Sequence, residues 1–262
     1  LKEHAWKACV RVTVPRVRIP PSPPPFVHFL AQMMHWPGQT SVFEHLMLKE
    51  FDIRIKSTFL SQSPREESPL IAVISTMAIL LVSLLCWRDP QLFRLLAAVP
   101  HQVMVEHEYW RLLTAIGVHA DLRHFLSNAV VFIFFSYLLY GYFGFWIYPV
   151  SVVVLGSLTN YCSLLTYADN IHLVGASGVV YLMAGFWLTL YVLVQRTRSL
   201  PKRLMHAIGI GLIVLVPTNL SPEVSYRTHF IGCAIGVMAA IGYFQARKET
   251  IRSMETVEIE PL

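Results

Sequence analysis

The chain has 262 residues, of which 55% are hydrophobic and only 14% are charged, and its mean hydropathy is +0.51. Because soluble domains carry about 25% charged residues, this composition excludes an ordinary water-soluble domain and predicts a protein embedded in a lipid bilayer. The formal net charge of +5 does not predict nucleic-acid binding, since several basic residues flank the apolar runs, where they set membrane topology.

The first part of the chain lacks apolar runs long enough to cross a membrane. Residues 1–32 contain a proline-rich stretch that can neither continue a helix nor pair as a central strand, so we predict a non-native or disordered extension. The chain starts with Leu1, and we expect native translation to start at a later methionine: Met33, Met34 or Met47. Residues 33–66 are mixed and polar, which predicts a cytosolic N-terminal segment.

Residues 67–248 contain six apolar runs that could cross about 30 Å of hydrocarbon. In chain order, we predict spans at residues 69–87, 124–144, 145–167, 177–194, 204–220 and 226–246. The connection over residues 88–123 is longer than an ordinary loop, so we expect it to be structured and functional. Gly141 and Gly144 predict the tight turn between the second and third spans. Residues 249–262 are predicted to be a cytosolic tail.

The positions of the basic residues predict the orientation in the membrane. The connection before the fifth span and the segment after the sixth are both basic; their lysines and arginines are Arg196, Arg198, Lys202, Arg203, Arg247, Lys248 and Arg252. Because short basic loops stay in the cytosol, we predict cytosolic N- and C-termini and an outward-facing loop after the first span. The same rule does not predict basic residues in an outward-facing loop, yet this loop carries four arginines: Arg88, Arg94, Arg111 and Arg123.

A serine between glycines begins the fourth predicted span, in the sequence Gly175-Ala-Ser177-Gly178. At a helix N-terminus, free N–H groups and the helix dipole stabilise the negative charge that develops when a serine attacks a carbonyl. The spacing GxSG is not the GxSxG of soluble hydrolases. The alternative is that Ser177 only caps the helix and that the glycines only pack.

A histidine lies near the outer end of the last predicted span. His229 precedes Gly232 and Gly236, a GxxxG pair that lets neighbouring helices approach closely. Histidine is costly inside an apolar helix and usually faces a polar cavity or a partner. Its imidazole is suited to accept a serine proton near neutral pH. The alternative is a structural histidine that bonds a backbone carbonyl.

Further polar residues lie at the entrance to the second span. His124 and Asn128 are four residues apart, so they share one helix face and could donate hydrogen bonds to an oxyanion. The alternative is a metal site of His119 and His124 with Asp121, but no carboxylate or HExxH pattern supplies the base of a zinc hydrolase. We therefore predict no metal.

Three of the predicted spans begin on the same side of the membrane and carry these polar residues near their starts: Ser177, His229, and the pair His124 and Asn128. Their agreement favours a serine-type acyl-transfer site with a Ser/His dyad, because no third carboxylate is evident. Tyr181, one turn after Ser177, either stacks on the imidazole or simply packs in its helix.

Together these motifs resemble the rhomboid family of intramembrane serine proteases. The family has a Trp-Arg pair in the first loop, HxxxN in the second helix, GxSG at the fourth and HxxGxxxG in the sixth. The corresponding positions are Trp110, Arg111, His124, Asn128, Gly175, Ser177, Gly178, His229, Gly232 and Gly236. The resemblance covers residues 67–248. The family often has a glutamate near the end of the second helix, and residues 140–146 have none, so we expect a change in local stability and not in chemistry.

The resemblance implies an all-α membrane protein with a six-helix bundle that acts as a serine endopeptidase. Ser177 would attack a peptide bond of a single-pass transmembrane protein near the outer membrane face, and His229 would carry the proton. His124, Asn128 and the Ser177 N–H would form the oxyanion hole. Gly175 would lie against this oxyanion hole. The remaining supporting roles are a stack of Tyr181 on His229 and a loop braced by Trp110 and Arg111.

The resemblance also implies the surroundings of the protein. No metal or cofactor is expected, the partners are the lipid bilayer and transmembrane substrates, and the oligomeric state stays open. We expect a prokaryotic inner (plasma) membrane. The rival hypothesis is a non-enzymatic membrane binder or transporter in which Ser177, His124 and His229 line a polar pathway. Transporters tend to have internal repeats, whereas here the polar residues cluster at one mouth and the halves show no convincing repeat.

Overall fold

The computed structural model describes residues 51–215 and 225–261. The predicted extension over residues 1–32 and the candidate start methionines, Met33, Met34 and Met47, lie outside the described residues. Two compact units can be distinguished in the described chain: one comprises residues 55–256, and the other includes residues 51–54 and 257–261. Strands β1 (Phe51–Ser57) and β2 (Thr256–Pro261) pair in a two-stranded sheet.

The larger unit is built from helices joined by short connections. In chain order they are α1 (Ser68–Arg88), α2 (Pro90–Leu96), α3 (Pro100–Met104), α4 (Arg111–Thr114), α5 (Leu122–Phe143), α6 (Val152–Leu164), α7 (Ser177–Val194), α8 (Leu200–Leu215) and α9 (Tyr226–Arg252). Short turns of 3-10 helix lie at Phe59–Ser61 and Ala115–Gly117, and a wide π turn at Trp146–Ser151 leads into α6.

Five helical segments of the described chain are long and apolar enough to cross a membrane: Ser68–Arg88, Leu122–Phe143, Trp146–Leu164, Ser177–Val194 and Tyr226–Arg252. The predicted all-α membrane bundle is therefore confirmed. The remaining predicted span, residues 204–220, corresponds to α8, which begins four residues earlier at Leu200. The predicted end of that span lies outside the described residues.

Two of the predicted spans differ from the helices that the chain forms. The third is not continuous, because Pro149 has no N–H to donate and Tyr148 before it is extended, with φ −127° and ψ 124°. The last predicted span ends at residue 246, but α9 continues to Arg252. Its additional residues include the helix formers Lys248 and Glu249, which do not need a bilayer to stay helical.

The turn between α5 and the following segment depends on Gly144 and not on Gly141. Gly144 ends α5 with a φ of 75°, a conformation that favours glycine. Gly141 lies inside α5, where an added Cβ would be 2.6 Å from the Cβ of Pro64. The prediction that Gly141 belongs to the turn is thus wrong. Its physical role is to let the segment before α1 pack against the end of α5.

Helix α7 lies at the centre of the bundle and contacts α5, α6, α8 and α9. Its contact with α9 is the closest, because glycines remove side chains from the interface. A Cβ added to Gly236 of α9 would collide with the carbonyl oxygen of Leu182, and one added to Gly185 of α7 would be 2.5 Å from that of Cys233. The two backbones therefore touch directly along α9.

Polar contacts define one end of the bundle, which we call the base. The Thr58 hydroxyl, shortly before α1, donates to the Gln195 side chain just after α7 at 2.6 Å. Arg196 and Glu255, which follow α7 and α9, form an ion pair at 2.9 Å. The segment before α1 and the C-terminal ends of α7 and α9 therefore meet at the base.

The opposite end, which we call the mouth, holds the C-terminal end of α1 and the first turns of α5, α7 and α9. The Trp87 indole N–H, in the last turn of α1, donates to the carbonyl of His119 at 2.7 Å, just before α5 begins. Since α5 ends beside the segment before α1, its first turn must lie at the mouth. The first turns of α7 and α9 lie there because their last turns are at the base.

Candidate active site

Ser177 is the first residue of α7 and follows a glycine in a conformation that favours glycine. Gly175 has a φ of 109°, and an added Cβ would lie 2.8 Å from Cε1 of His124. The N–H of Gly175 donates to the carbonyl of Ala115 at 3.0 Å. The backbone before Ser177 is therefore held against the loop that precedes α5, and Ser177 itself is half-buried.

The first turns of α7 and α9 meet directly next to Ser177. A Cβ added to Gly178 would be 2.7 Å from Cγ2 of Thr228, and one added to Gly232 would collide with the carbonyl oxygen of Gly178. Ser177 and Gly178 are neighbours in α7, as Thr228 and His229 are in α9. The structure thus brings the turn that carries the serine against the turn that carries the histidine.

His229 is 9% exposed and lies flat against Tyr181. The two rings are 4.1 Å apart with an interplanar angle of 10°. The Tyr181 hydroxyl donates to the carbonyl of Leu215 at the end of the described part of α8. In the described chain, no hydrogen bond joins Ser177 to His229, and the buried Nδ1 of His229 has no partner. Catalytic hydrogen bonds are often long when no substrate is bound.

The N-terminal turn of α9 is anchored by hydroxyl groups. Ser225 caps the helix by accepting from the Thr228 N–H at 3.3 Å. The Tyr167 hydroxyl contacts Ser225, and it lies 3.3 Å from the Thr228 hydroxyl. Arg227 donates to the carbonyl of Thr166 at 2.7 Å. These contacts fix the residues directly before His229 to the loop after α6.

His124 and Asn128 lie one turn apart at the start of α5. Asp121 caps this helix, because its carboxylate accepts from the His124 N–H at 2.7 Å. Asn128 is 8% exposed, and its amide donates one hydrogen to the carbonyl of His124 at 2.9 Å. The amide nitrogen carries a second hydrogen. The His124 ring lies beside Gly175, so it faces the turn that leads into Ser177.

His119 is fully buried and joins three parts of the mouth. Its Nδ1 lies 3.1 Å from the Ser83 hydroxyl of α1, and its Nε2 accepts from the Ala176 N–H at 3.3 Å. Its ring meets that of His124 edge-on at 5.0 Å. Burial, with a smaller effect of His124, lowers the pKa of His119 to about 4. His119 is therefore neutral at physiological pH.

The alternative of a metal site receives no support from these residues. Both ring nitrogens of His119 are engaged, and Asp121 caps α5. In the ranges that the structure describes, no group of three or more His, Cys, Asp or Glu side chains could hold a metal ion.

Arg111 fastens the long loop after α1 from the inside. Its guanidinium group is 7% exposed and donates to the carbonyls of Arg94, Leu95 and Ala97. It also pairs with Glu108 at 2.5 Å, and it lies 4.8 Å from the Trp110 ring. A neighbouring contact adds a residue that the motifs did not indicate: Asn160 of α6 donates to the carbonyl of Leu112 at 2.8 Å.

The contribution of α1 to the mouth was not predicted from the sequence. Ser83 and Trp87 both reach the His119 segment, and they are four residues apart on one face of an apolar helix. The sequence does contain a signal for this contribution: a serine and a tryptophan lie four residues apart, on one helix face, near the end of an apolar span. His119 itself was considered only as a metal ligand.

Comparison with known protein families agrees with the motifs. The family model described as Rhomboid domain matches residues 106–246, which is more than half of the chain. This range includes Trp110, Arg111 and every other motif residue through Gly236. It excludes α1. No curated protein matches the chain.

Proposed function

Because the chain belongs to the rhomboid family of intramembrane serine proteases, we propose that it is a serine endopeptidase that hydrolyses peptide bonds of single-pass transmembrane proteins. In this proposal, Ser177 is the nucleophile and His229 is the general base. The observation that carries it is the contact between the first turns of α7 and α9, where Gly178 packs on Thr228 and Tyr181 stacks on His229.

The proposed reaction proceeds in two steps. The Ser177 oxygen attacks the carbonyl carbon of the substrate while His229 accepts the serine proton. The C–N bond then breaks, and His229 gives the proton to the leaving amine. A water molecule, deprotonated by His229, releases the acyl group and restores the Ser177 hydroxyl. The stack on Tyr181 holds the plane of the imidazole in the absence of a third carboxylate.

The developing oxyanion would be stabilised from two helices. The candidates on α5 are the His124 ring and the second amide hydrogen of Asn128. On α7, the N–H of Ser177 is free of any helical partner because it belongs to the first turn. The positive end of the α7 dipole points to the same position.

We further propose that the mouth opens to the outer face of a prokaryotic plasma membrane. The base carries the basic segment after α7, which includes Arg196, and the basic last turns of α9, which include Arg247; the positive-inside rule assigns both to the cytosol. A substrate helix must unwind there before cleavage, because its amides are hydrogen-bonded within the helix while it lies in lipid.

The test is activity-based labelling of the full chain in membranes with a fluorophosphonate. We expect labelling of the wild type, complete loss in Ser177→Ala, and no change in Ser253→Ala, whose exposed hydroxyl donates to Thr250 at the far end of α9. The same variants are then compared for cleavage of a single-pass model substrate in proteoliposomes. Labelling or cleavage that survives Ser177→Ala would contradict the role of Ser177. A wild type that is neither labelled nor able to cleave would instead favour a non-enzymatic binder or transporter.

A further inference from the structure

Two residues of α1 reach across to the loop that precedes α5. The Ser83 hydroxyl donates to the carbonyl of Gly117 at 2.9 Å, and the Trp87 indole donates to the carbonyl of His119 at 2.7 Å. Both bonds fix the backbone on either side of the His119 segment. Helix α1 lies outside the range matched by the family model, so the comparison assigns these contacts no role.

The hydrogen bonds determine which nitrogen of His119 carries the proton. Ser83 has one hydroxyl hydrogen, and it is used on Gly117. The 3.1 Å contact between Ser83 and Nδ1 therefore requires Nδ1–H as the donor. Nε2 is then unprotonated and can accept from the Ala176 N–H. The neutral Nδ1–H tautomer therefore fits the bonds of His119 with both Ser83 and Ala176.

The series of hydrogen bonds from Ser83 through His119 ends at Ala176, one residue before the proposed nucleophile. Gly175 occupies a φ of 109°, and glycine backbone is freer than that of other residues. Two bonds of the described chain hold this backbone: the Gly175 N–H donates to the carbonyl of Ala115, and the Ala176 N–H donates to His119. The second of these sets the direction of the peptide plane before Ser177.

We propose that His119 is a positioning residue of the active site, which holds the backbone of residues 175–177 through Nε2 in the Nδ1–H tautomer that Ser83 and the Gly117 carbonyl favour. This inference rests on the proposed function of Ser177. It extends the site to α1 and makes the first span part of the machinery that orients the nucleophile. Because His119 and Ser83 are both fully buried, a substrate at the mouth cannot reach them. We therefore expect their loss to slow attack and to leave substrate binding unchanged.

The same geometry makes the position sensitive to acid. Protonation of Nε2 would turn the acceptor into a donor that faces the Ala176 N–H, and the bond to the loop would be lost. The groups around His119 are Ser83 and Trp87 from α1, which do not titrate, and Asp121 and His124 next to α5 and within it. Since the pKa of His119 is lowered to about 4, the bond persists at neutral pH.

The first experiment compares two serines of α1 in the purified full chain. Ser83→Ala removes the hydroxyl that ties α1 to Gly117 and to Nδ1 of His119, whereas Ser75→Ala removes a hydroxyl that bonds the Ile71 carbonyl of its own helix. We expect Ser83→Ala to lower the rate of fluorophosphonate labelling and kcat by about 10- to 100-fold with KM unchanged, a cost typical of a misplaced nucleophile. Ser75→Ala should stay within about twofold of the wild type.

The second experiment replaces His119 itself and does not depend on whether Ser83→Ala folds. In His119→Gln, a side-chain oxygen can accept from Ala176 but cannot be protonated at ordinary pH, whereas His119→Leu has no acceptor. We expect His119→Gln to label at least about tenfold faster than His119→Leu. The labelling rate of wild type relative to His119→Gln should fall as the pH is lowered from about 6 to about 3.

The outcomes separate the two proposals. If wild type is not labelled, the proposed function fails. If wild type is labelled but Ser83→Ala matches Ser75→Ala, or His119→Gln matches His119→Leu at equal thermal stability, the positioning role of His119 is overturned while the proposed function stands.

Discussion

The two ends of the bundle use their polar side chains differently. At the base, side chains from different elements pair with each other: Thr58 bonds Gln195, and Arg196 bonds Glu255. One buried atom there, the Nε of Arg203, has no partner among the described residues. At the mouth, bonding capacity remains open: among the described residues, the buried Nδ1 of His229 has no partner, and Asn128 has used one amide hydrogen on its own helix. An unpaired buried polar atom costs about 1–3 kcal/mol. Such atoms therefore lower stability, and in the proposed function those at the mouth are groups that a substrate could engage.

The base also contains the contacts that hold the turn after α5. Arg65 donates its N–H to the carbonyl of Gly141 at 3.1 Å, and its guanidinium group lies against Gly144. The Ser68 hydroxyl, in the first turn of α1, donates to the carbonyl of Arg65 and so ties this segment to α1. The segment before α1 thus braces the turn after α5 from outside, where none of residues 140–146 is acidic.

The largest expected effect follows from substitutions of the proposed dyad at the mouth. Ser177→Ala and His229→Phe should each lower kcat by about 10⁴-fold or more, and the double variant should be no worse than either, because the two residues act as a unit. His229→Phe keeps a ring to stack on Tyr181 and removes the unpaired nitrogen, so its thermal stability should equal or exceed that of wild type.

Cleavage assays and thermal unfolding of the same preparations check this prediction. Arg65→Ala at the base serves as the contrast, since it should lower the melting temperature and leave kcat unchanged. A strictly additive loss in the double variant would mean that Ser177 and His229 do not act together.

The next largest effect concerns the contact of α7 with α9, which joins both ends. Gly236→Ala adds a Cβ that collides with the carbonyl of Leu182, so it should destabilise the fold by about 3 kcal/mol or more. Gly242→Ala, six residues later on the same helix, meets nothing within 4 Å. It should stabilise the helix by about 0.5–1 kcal/mol.

Thermal unfolding in one detergent compares the two glycine variants directly. Equal melting temperatures would show that the backbones of α7 and α9 do not need to touch.

The apolar runs predicted where most helices lie, but not every boundary. The bounds of α1 and α7 agree with the predicted spans to within one residue, because Pro69 and Ser177 begin those helices with recognisable signals. The break at Pro149 was missed because hydropathy continues through it. The extension of α9 to Arg252 was missed because the polar residues after the apolar run also favour a helix.

The motif residues of the site were visible in the sequence, whereas their supports were not. GxSG and HxxGxxxG identify Ser177 and His229 by local spacing. The bond between Ser83 and His119 joins positions 36 residues apart. The periodicity of apolar residues indicates the face of a single helix, so it cannot predict a contact between one span and the loop before another. Tyr181 was left between two alternatives, because a helical wheel gives its face but not the ring it meets.

A smaller effect is expected from the titration of His119 at the mouth. Its pKa is about 4 in the folded chain and 6.5 for an unperturbed histidine. The unfolded state therefore binds the proton first, so the stability that neutral His119 contributes is complete above about pH 6.5 and is lost as the pH falls towards 4. The loss should be roughly 3 kcal/mol.

Unfolding of wild type and His119→Gln at several pH values isolates this contribution from those of other groups. The difference between the two proteins should change between about pH 6.5 and 4 and be flat above. A constant difference over the whole range would contradict burial as the cause of the lowered pKa.

The smallest effect is expected at the base, where Arg196 and Glu255 form an ion pair in which Glu255 is 10% and Arg196 is 34% exposed. Partly exposed pairs contribute about 1 kcal/mol or less. Arg196→Gln should therefore lower the free energy of unfolding by no more than that, with less effect at high salt because the pair is screened. Its kcat should equal that of wild type, since no part of the proposed dyad touches the base. A loss of activity in Arg196→Gln without a loss of stability would show that the two ends are coupled, and the division between a stabilising base and a reactive mouth would not hold.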